Sequence, residues 1–244
     1  MLENYKVENI LFIDVETVPE HPDYSELSDQ FKKLWNKKVE NLRIVTEGQN
    51  PSDKAIYYRA AIYAEFGKIV CISVGHLVNK NGERTLRMKS YSGDDEKALL
   101  QDFTEMLKKY SSSNPGVLLC AHNGKEFDFP YLSRRMLING LQIPKMLDLS
   151  GKKPWEVNHL DTMELWKFGD YKSYTSLNLL TAVFNIPTSK DDIDGSDVAR
   201  VYWEEKDMPR IVKYCQKDVV AIVQLFLKLK GEALIKTDNI EYAE

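Results

Sequence analysis

The 244-residue sequence predicts an α/β fold, a mixed β-sheet flanked by α-helices with a helical insertion after the first strand. Three observations carry this reading. Short apolar runs bounded by polar or turn residues recur along the chain, as strands require. Residues 20–64 interrupt them with a charged amphipathic stretch and a loop. The later strands are separated by segments of helical period, whereas the second and third are not. An antiparallel meander followed by an αβα tail makes a mixed sheet.

The elements follow in order. "ENILFIDV" (8–15) reads as a buried strand. In "HPDYSELSDQFKKLWNKKVE" (21–40), Phe31, Leu34 and Trp35 fall at i, i+3 and i+4, which predicts a helix burying that face. "GKIVCISVGHLV" (67–78) and "GERTLRMKSYS" (82–92) are a strand pair joined by a tight turn. A Ser/Asp-rich start followed by Leu99, Leu100, Phe103, Met106 and Leu107 on one face gives a helix over 96–110. "GVLLCAHNG" (116–124) is a strand, and "DFPYLSRRMLINGL" (128–141) a helix ending near Asn139-Gly140. "HLDTMELW" (159–166) turns from strand to helix, and a short helix starts near Ser176. The last long helix spans about 208–230, with Ile211, Cys215, Val219, Ile222, Val223 and Phe226 on one face. Residues 231–244 read as a flexible tail, and the whole of 1–244 as a single domain.

Composition narrows the function classes. Charged residues make up 29% of the chain and hydrophobic ones 43%, which suits a soluble domain with a sizeable core. No apolar run approaches the ~20 residues that span a bilayer, and the start lacks the layout of a signal peptide. Cys71, Cys120 and Cys215 form no CxxC pair and sit in apolar contexts, as free thiols in a cytoplasmic protein would. A net charge of -4 gives no general nucleic-acid footprint, yet carboxylates gathered to hold metal also make a chain acidic.

Four places combine a carboxylate with a well-formed local context. Asp14 and Glu16 alternate at the end of the first strand, so they share a face, where two anions repel unless a cation lies between them. Taken alone, the pair reads equally well as a solvated strand end. Asp128 starts a helix, and by itself capping accounts for it. Tyr214 and Asp218 are four apart on the last helix, one turn from each other and beside its apolar stripe, an uncommon place for an unpaired acid. Asp161-Thr162 reads as a helix cap.

The order of these motifs is D-x-E on the first strand, N-x4-D-x-P after an internal strand, and Y-x3-D on a late helix. Together they resemble the DEDD superfamily of 3′-5′ exonucleases, which has a ribonuclease-H-like fold. Tyr214 points to the tyrosine subgroup. "NGKEFDFPYL" is similar to the second motif of the proofreading exonuclease domain of family B DNA polymerases. "FGKIVCISVG", "HLDTMELWKFGD", "YTSLNLL" and "DIDGSDV" are similar to a bacterial group of stand-alone relatives without a polymerase. The likeness covers about residues 8–230.

The resemblance implies a site and a reaction. Asp14, Glu16, Asp128 and Asp218 would hold two divalent ions, Mg²⁺ or Mn²⁺, with Asp14 bridging, Glu16 and Asp218 on one ion and Asp128 on the other. Tyr214 would orient the attacking water. The substrate implied is nucleic acid with a 3′ end, single-stranded or frayed DNA, cleaved to nucleoside monophosphates. Thr17, Val18, Asn123, Phe127 and Lys190 are the expected substrate contacts. Lys152, Lys153 and Trp155 have the composition of a single-strand binder, Arg134 and Arg135 read as a solvated helix face, and His122 lies near the site. Two alternatives stay open at this point: trimming of RNA 3′ ends, and a non-catalytic binding module on the same fold.

Overall fold

A computed structural model of the chain describes residues 2–42, 48–80, 82–170, 174–186 and 192–243. Its strands are β1 (Ile10–Pro19), β2 (Gly67–Lys80), β3 (Glu83–Ser92), β4 (Leu118–Ala121), β5 (Leu160–Asp161) and β6 (Ile240–Tyr242). They form one sheet in the order β5-β4-β1-β2-β3-β6. β1 pairs antiparallel with β2, and β2 with β3, while the β1–β4, β4–β5 and β3–β6 pairs are parallel. The predicted mixed sheet is therefore present, with the meander at its centre.

The helices are α1 (Asp29–Asn41), α2 (Lys54–Tyr58), α3 (Glu96–Ser113), α4 (Asp128–Ile138), α5 (Thr162–Lys167), α6 (Leu177–Val183), α7 (Val198–Arg200) and α8 (Met208–Lys230). Alternation along β1 explains how they layer. Leu11, Ile13 and Val15 face α3 and α4, meeting Leu100, Phe103, Phe129 and Leu132. Phe12 faces the other way, against Val219, Ile222 and Phe226 of α8. α8 has Pro209 in its first turn, with Asp207 capping Arg210 N–H, and stops at Gly231, whose φ of 77° suits glycine. Its length, about 34 Å at 1.5 Å per residue, carries it across the sheet. No helix among the described residues is long and apolar enough to cross a membrane.

The described residues of 20–64 lie outside the sheet, and α1 buries a narrower strip than its apolar spacing suggests. Trp35 and Val39 are buried, whereas Phe31 and Leu34 are 42% and 47% exposed. The insertion has a small core of its own, in which Trp35 meets Tyr57 and Phe66 edge-on at 6.0 and 5.3 Å, and that core admits only a narrow strip of α1. At the base of the insertion the β1–β2 ladder simply continues. Pro19 pairs with Gly67, and Glu20 N–H donates to Phe66 carbonyl. A Cβ on Gly67 would lie 2.4 Å from the Tyr131 hydroxyl, so only glycine fits at this closure.

Arg135 fastens the insertion to the core. Sequence placed both arginines of α4 on a solvated face. Arg134 is exposed, but Arg135 is 3% exposed and grips Glu96 of α3 through Nε and Nη2. It also donates to the Ala64 carbonyl at 2.9 Å and to Glu20 at 3.0 Å, one at each end of the insertion.

Residues 231–243 are no loose tail. β6 adds a strand beside β3, and Gln224 of α8 clasps Ile235 with two hydrogen bonds, its amide donating to the carbonyl at 2.7 Å and its oxygen accepting N–H at 2.9 Å. The segment has too few apolar residues to read as a strand, because the pairing is made by main chain and one buried amide. Gln224→Ala is expected to cost about 1–3 kcal/mol for each backbone group left unpaired, measurable by urea unfolding.

Candidate active site

Asp14 and Glu16 project from β1 toward α8, two residues apart on one face. The strand-end reading is excluded, since β1 runs on to Pro19 and Glu16 is 7% exposed. The ladder to β2 shifts register between Glu16 and Thr17, a bulge at the point where the strand leaves the acids. α8 supplies the opposite wall. Cys215 donates its thiol to the Asp14 carbonyl at 3.4 Å, and the Tyr214 hydroxyl bonds to the carboxylate of Asp218, one turn on. One side-chain ligand atom each of Asp14, Glu16 and Cys215 lie within 4.8 Å of one another.

The third wall is the start of α4. Asp128 is 4% exposed, and its carboxylate accepts hydrogen bonds from its own N–H and from that of Val15. The backbone between the two acids of β1 thus holds the acid of α4. This goes beyond the helix capping that sequence alone accounted for, because a partner on another element needs the fold.

The electrostatics of the site are those of anions crowded away from water. Burial, then Asp218 and Asp128, hold the Asp14 carboxyl well above its usual range. Burial, then Asp14 and Asp218, do the same for Glu16. Asp128 is pushed up to about 8 by burial, with Asp161 and Asp218 adding to it. Burial and the nearby Asp218, Glu16 and Asp14 also raise the Tyr214 phenol, which stays neutral. The leading electrostatic neighbours of Asp14, Glu16 and Asp128 are other acids and thiols rather than cations. Asp14 Oδ2 is shut off from solvent without a hydrogen-bond partner. A hard divalent cation fits this donor set, because it would satisfy that oxygen and relieve the repulsion together. The Cys215 thiol is held protonated by burial and pinned to the Asp14 carbonyl, so the oxygens are the ligands.

The other sequence candidates fall in different places. Asn123 adopts φ 63° in the turn after β4, and its Oδ1 is buried without a partner. Thr17 turns the other way and bonds to Tyr131. Val18 is 0% exposed, in the core cluster with Val70 and Val198, so its side chain is not a substrate contact. The Phe127 ring is half-buried, 5.3 Å from that of Tyr131. Lys190 lies outside the described residues. Lys153 sits over the Trp155 ring at 5.2 Å on an exposed loop. Both His122 nitrogens are engaged, by the Thr162 hydroxyl and the Thr175 carbonyl at 2.9 Å each, so this ring braces the end of β4. The 194–197 loop passes near the site, since a Cβ on Gly195 would come 3.9 Å from the Tyr214 hydroxyl.

Residues 61–241 match the family described as predicted 3′-5′ exonucleases related to the exonuclease domain of PolB. The matched stretch includes Asp128, Tyr214 and Asp218, while β1, with Asp14 and Glu16, precedes it. The family B DNA polymerase of the hyperthermophilic archaeon Pyrobaculum calidifontis has a similar fold over 91% of this chain, with a TM-score of 0.52 and 14% identity. The likeness takes in 24% of that polymerase chain. The sheet flanked by helices is thus a ribonuclease-H-like α/β fold of the kind found in such exonuclease domains. On the match over 61–241, the chain belongs to the family of predicted 3′-5′ exonucleases related to the exonuclease domain of PolB.

Proposed function

We propose that the protein hydrolyses phosphodiester bonds at the 3′ end of single-stranded or frayed DNA and releases nucleoside monophosphates. The observation that carries this reading is the convergence of Asp14, Glu16, Asp128 and Asp218 into one cluster of mutually interacting carboxyl groups, in which Asp14 Oδ2 is buried without a hydrogen-bond partner. Two divalent ions, Mg²⁺ or Mn²⁺, would supply a water acidic enough to attack at neutral pH and charge to offset the leaving oxygen. Asp218 and Asp128 are the acids that act most strongly on Asp14, which supports Asp14 as the carboxylate the two ions would share. Glu16 has Asp14 and Asp218 as its nearest acids, which supports pairing it with Asp218 on one ion.

Tyr214 acts by position. A phenol raised above its ordinary value near 10 gives up its proton too reluctantly to serve as a base, so it orients the water through its hydroxyl. Asn123 Oδ1 is an acceptor without a donor, suited to a sugar hydroxyl at the strand terminus. The backbone of Thr17 and Val18 and the Phe127 ring remain the other proposed contacts of the terminal nucleotide.

The test is cleavage of 5′- and 3′-labelled DNA and RNA oligonucleotides with Mg²⁺, with Mn²⁺ and with a chelator. DNA shortened from the 3′ end only when metal is present is the expected result. Faster cleavage of RNA would make the substrate RNA. Binding without cleavage under every metal condition would leave a non-catalytic module and overturn the proposal.

A further inference from the structure

We propose that Asp161 is a positioning residue that sets the metal affinity of Asp128, an inference that rests on the metal-site reading above. Asp161 ends β5, is 2% exposed, and spends its carboxylate on main chain. Oδ1 accepts N–H of Met163 at 2.9 Å and of Glu164 at 3.4 Å, which caps α5 and locks the side chain. The same Oδ1 accepts N–H of Asn123 at 2.9 Å, and Oδ2 accepts N–H of Lys125 at 3.1 Å. Those last two bonds cross from one element to another. They hold the turn between β4 and Asp128.

That turn is tight, and besides Asp161 it is braced by the His122 ring at its start. Asn123 is in the left-handed region, which costs any residue but glycine. A Cβ on Gly124 would lie 2.4 Å from the Ala121 Cβ, so the chain doubles back tightly on β4. Beyond it, the Asn123 carbonyl accepts Phe127 N–H at 3.0 Å and the Gly124 carbonyl accepts Phe129 N–H at 2.9 Å. A short chain of hydrogen bonds thus runs from the Asp161 carboxylate to the first turn of α4, where Asp128 sits. The charge of Asp161 also bears on Asp128 more than that of any other acid. With both carboxylate oxygens engaged by main-chain N–H groups, Asp161 stands behind the cluster as a support rather than as a ligand.

Its chemistry explains why a carboxylate is needed. An amide has one acceptor oxygen, so Asp161→Asn can keep the Oδ1 contacts and the cap but turns an N–H₂ group against Lys125 N–H. Asp161→Ser keeps a cap and is too short to reach across to the turn. Both variants should fold, with melting temperatures close to that of Ser176→Ala, which removes the cap of α6 and leaves this turn alone.

The experiment is calorimetric titration of Mn²⁺ into wild type and the three variants without nucleic acid, with thermal melts alongside. Asp161→Asn and then Asp161→Ser are expected to weaken Mn²⁺ binding in that order, within roughly 10- to 100-fold, while Ser176→Ala binds as wild type does. Unchanged binding in both Asp161 variants, or equal weakening in Ser176→Ala, would overturn the proposal while leaving the metal site in place. Wild type that binds no divalent ion would remove the metal site and this inference together.

Discussion

Asp218→Ala and Asp14→Ala are each expected to lower kcat on a DNA oligonucleotide by about a thousandfold or more, with the fold intact. Each removes a carboxylate from the cluster proposed to hold the metal ions. Folding should survive, because burial and the neighbouring acids Asp218 and Asp128 already disfavour the charged form of Asp14, and Asp218→Ala gives up a hydrogen bond from Tyr214 while relieving Asp14 and Glu16. At pH 8 both variants are expected to melt at higher temperature than metal-free wild type. The sign follows from linkage. Carboxyls raised in the folded state bind more protons than the unfolded chain does between about pH 4 and, for Asp128, about 8. Their contribution to stability is full below the unfolded value and is lost as pH rises through the folded one. The advantage of Asp14→Ala over metal-free wild type should therefore widen from pH 5 to pH 8, and Mg²⁺ should close it by stabilising wild type alone. A gap that is constant with pH, or a variant less stable at pH 8, would show that the acids are not held protonated by one another.

Arg135→Ala is expected to destabilise the protein by about 3–5 kcal/mol, the usual cost of removing one partner of a buried ion pair. Glu96 would be left buried with only the Ile69 and Asn139 N–H groups, and Glu20 and the Ala64 carbonyl would lose their shared donor. Arg135→Met combined with Glu96→Gln should recover much of that loss, because it removes both charges and keeps volume. Urea unfolding measures the energies, and limited proteolysis within 20–64 reports the loosened insertion. A loss below about 1 kcal/mol, the range of exposed pairs, would mean that Arg135 is not buried in solution.

The sheet and α8 were legible because apolar period and length suffice to specify them. Asp14 and Glu16 were legible as a pair because a strand repeats every two residues, and Tyr214 with Asp218 because a helix repeats every four. What escaped depends on partners distant in sequence. Arg135 looks like surface until Glu96 arrives from α3, and Asp161 looks like a simple cap until the β4–α4 turn meets its second oxygen. The spacing of three apolar residues on α1 suggests one broad contact, whereas the insertion's aromatic core fully buries Trp35 and Val39 and leaves Phe31, edge-on to Phe66, and Leu34 largely exposed. Val18 follows the acids in sequence, but beyond the bulge its side chain belongs to the core. β6 had no pattern to betray it, since an edge strand can be held by main chain alone.

The continuous ladder at the base of the insertion bears on the order in which the chain folds. β2 and β3 close across a tight turn, from Lys80 to Glu83, whereas β1 and β2 meet only after residues 20–66 have been looped out. With each doubling of a loop adding about 0.6 kcal/mol, closing the longer one costs roughly 3 kcal/mol more in chain entropy. The β2–β3 hairpin is therefore expected to form first and β1 to dock late. Early collapse of the insertion around Trp35 would shorten the effective loop and speed that docking. Asp14 and Glu16 ride on the late strand, so the repelling acids are brought together only once the rest of the sheet can hold them.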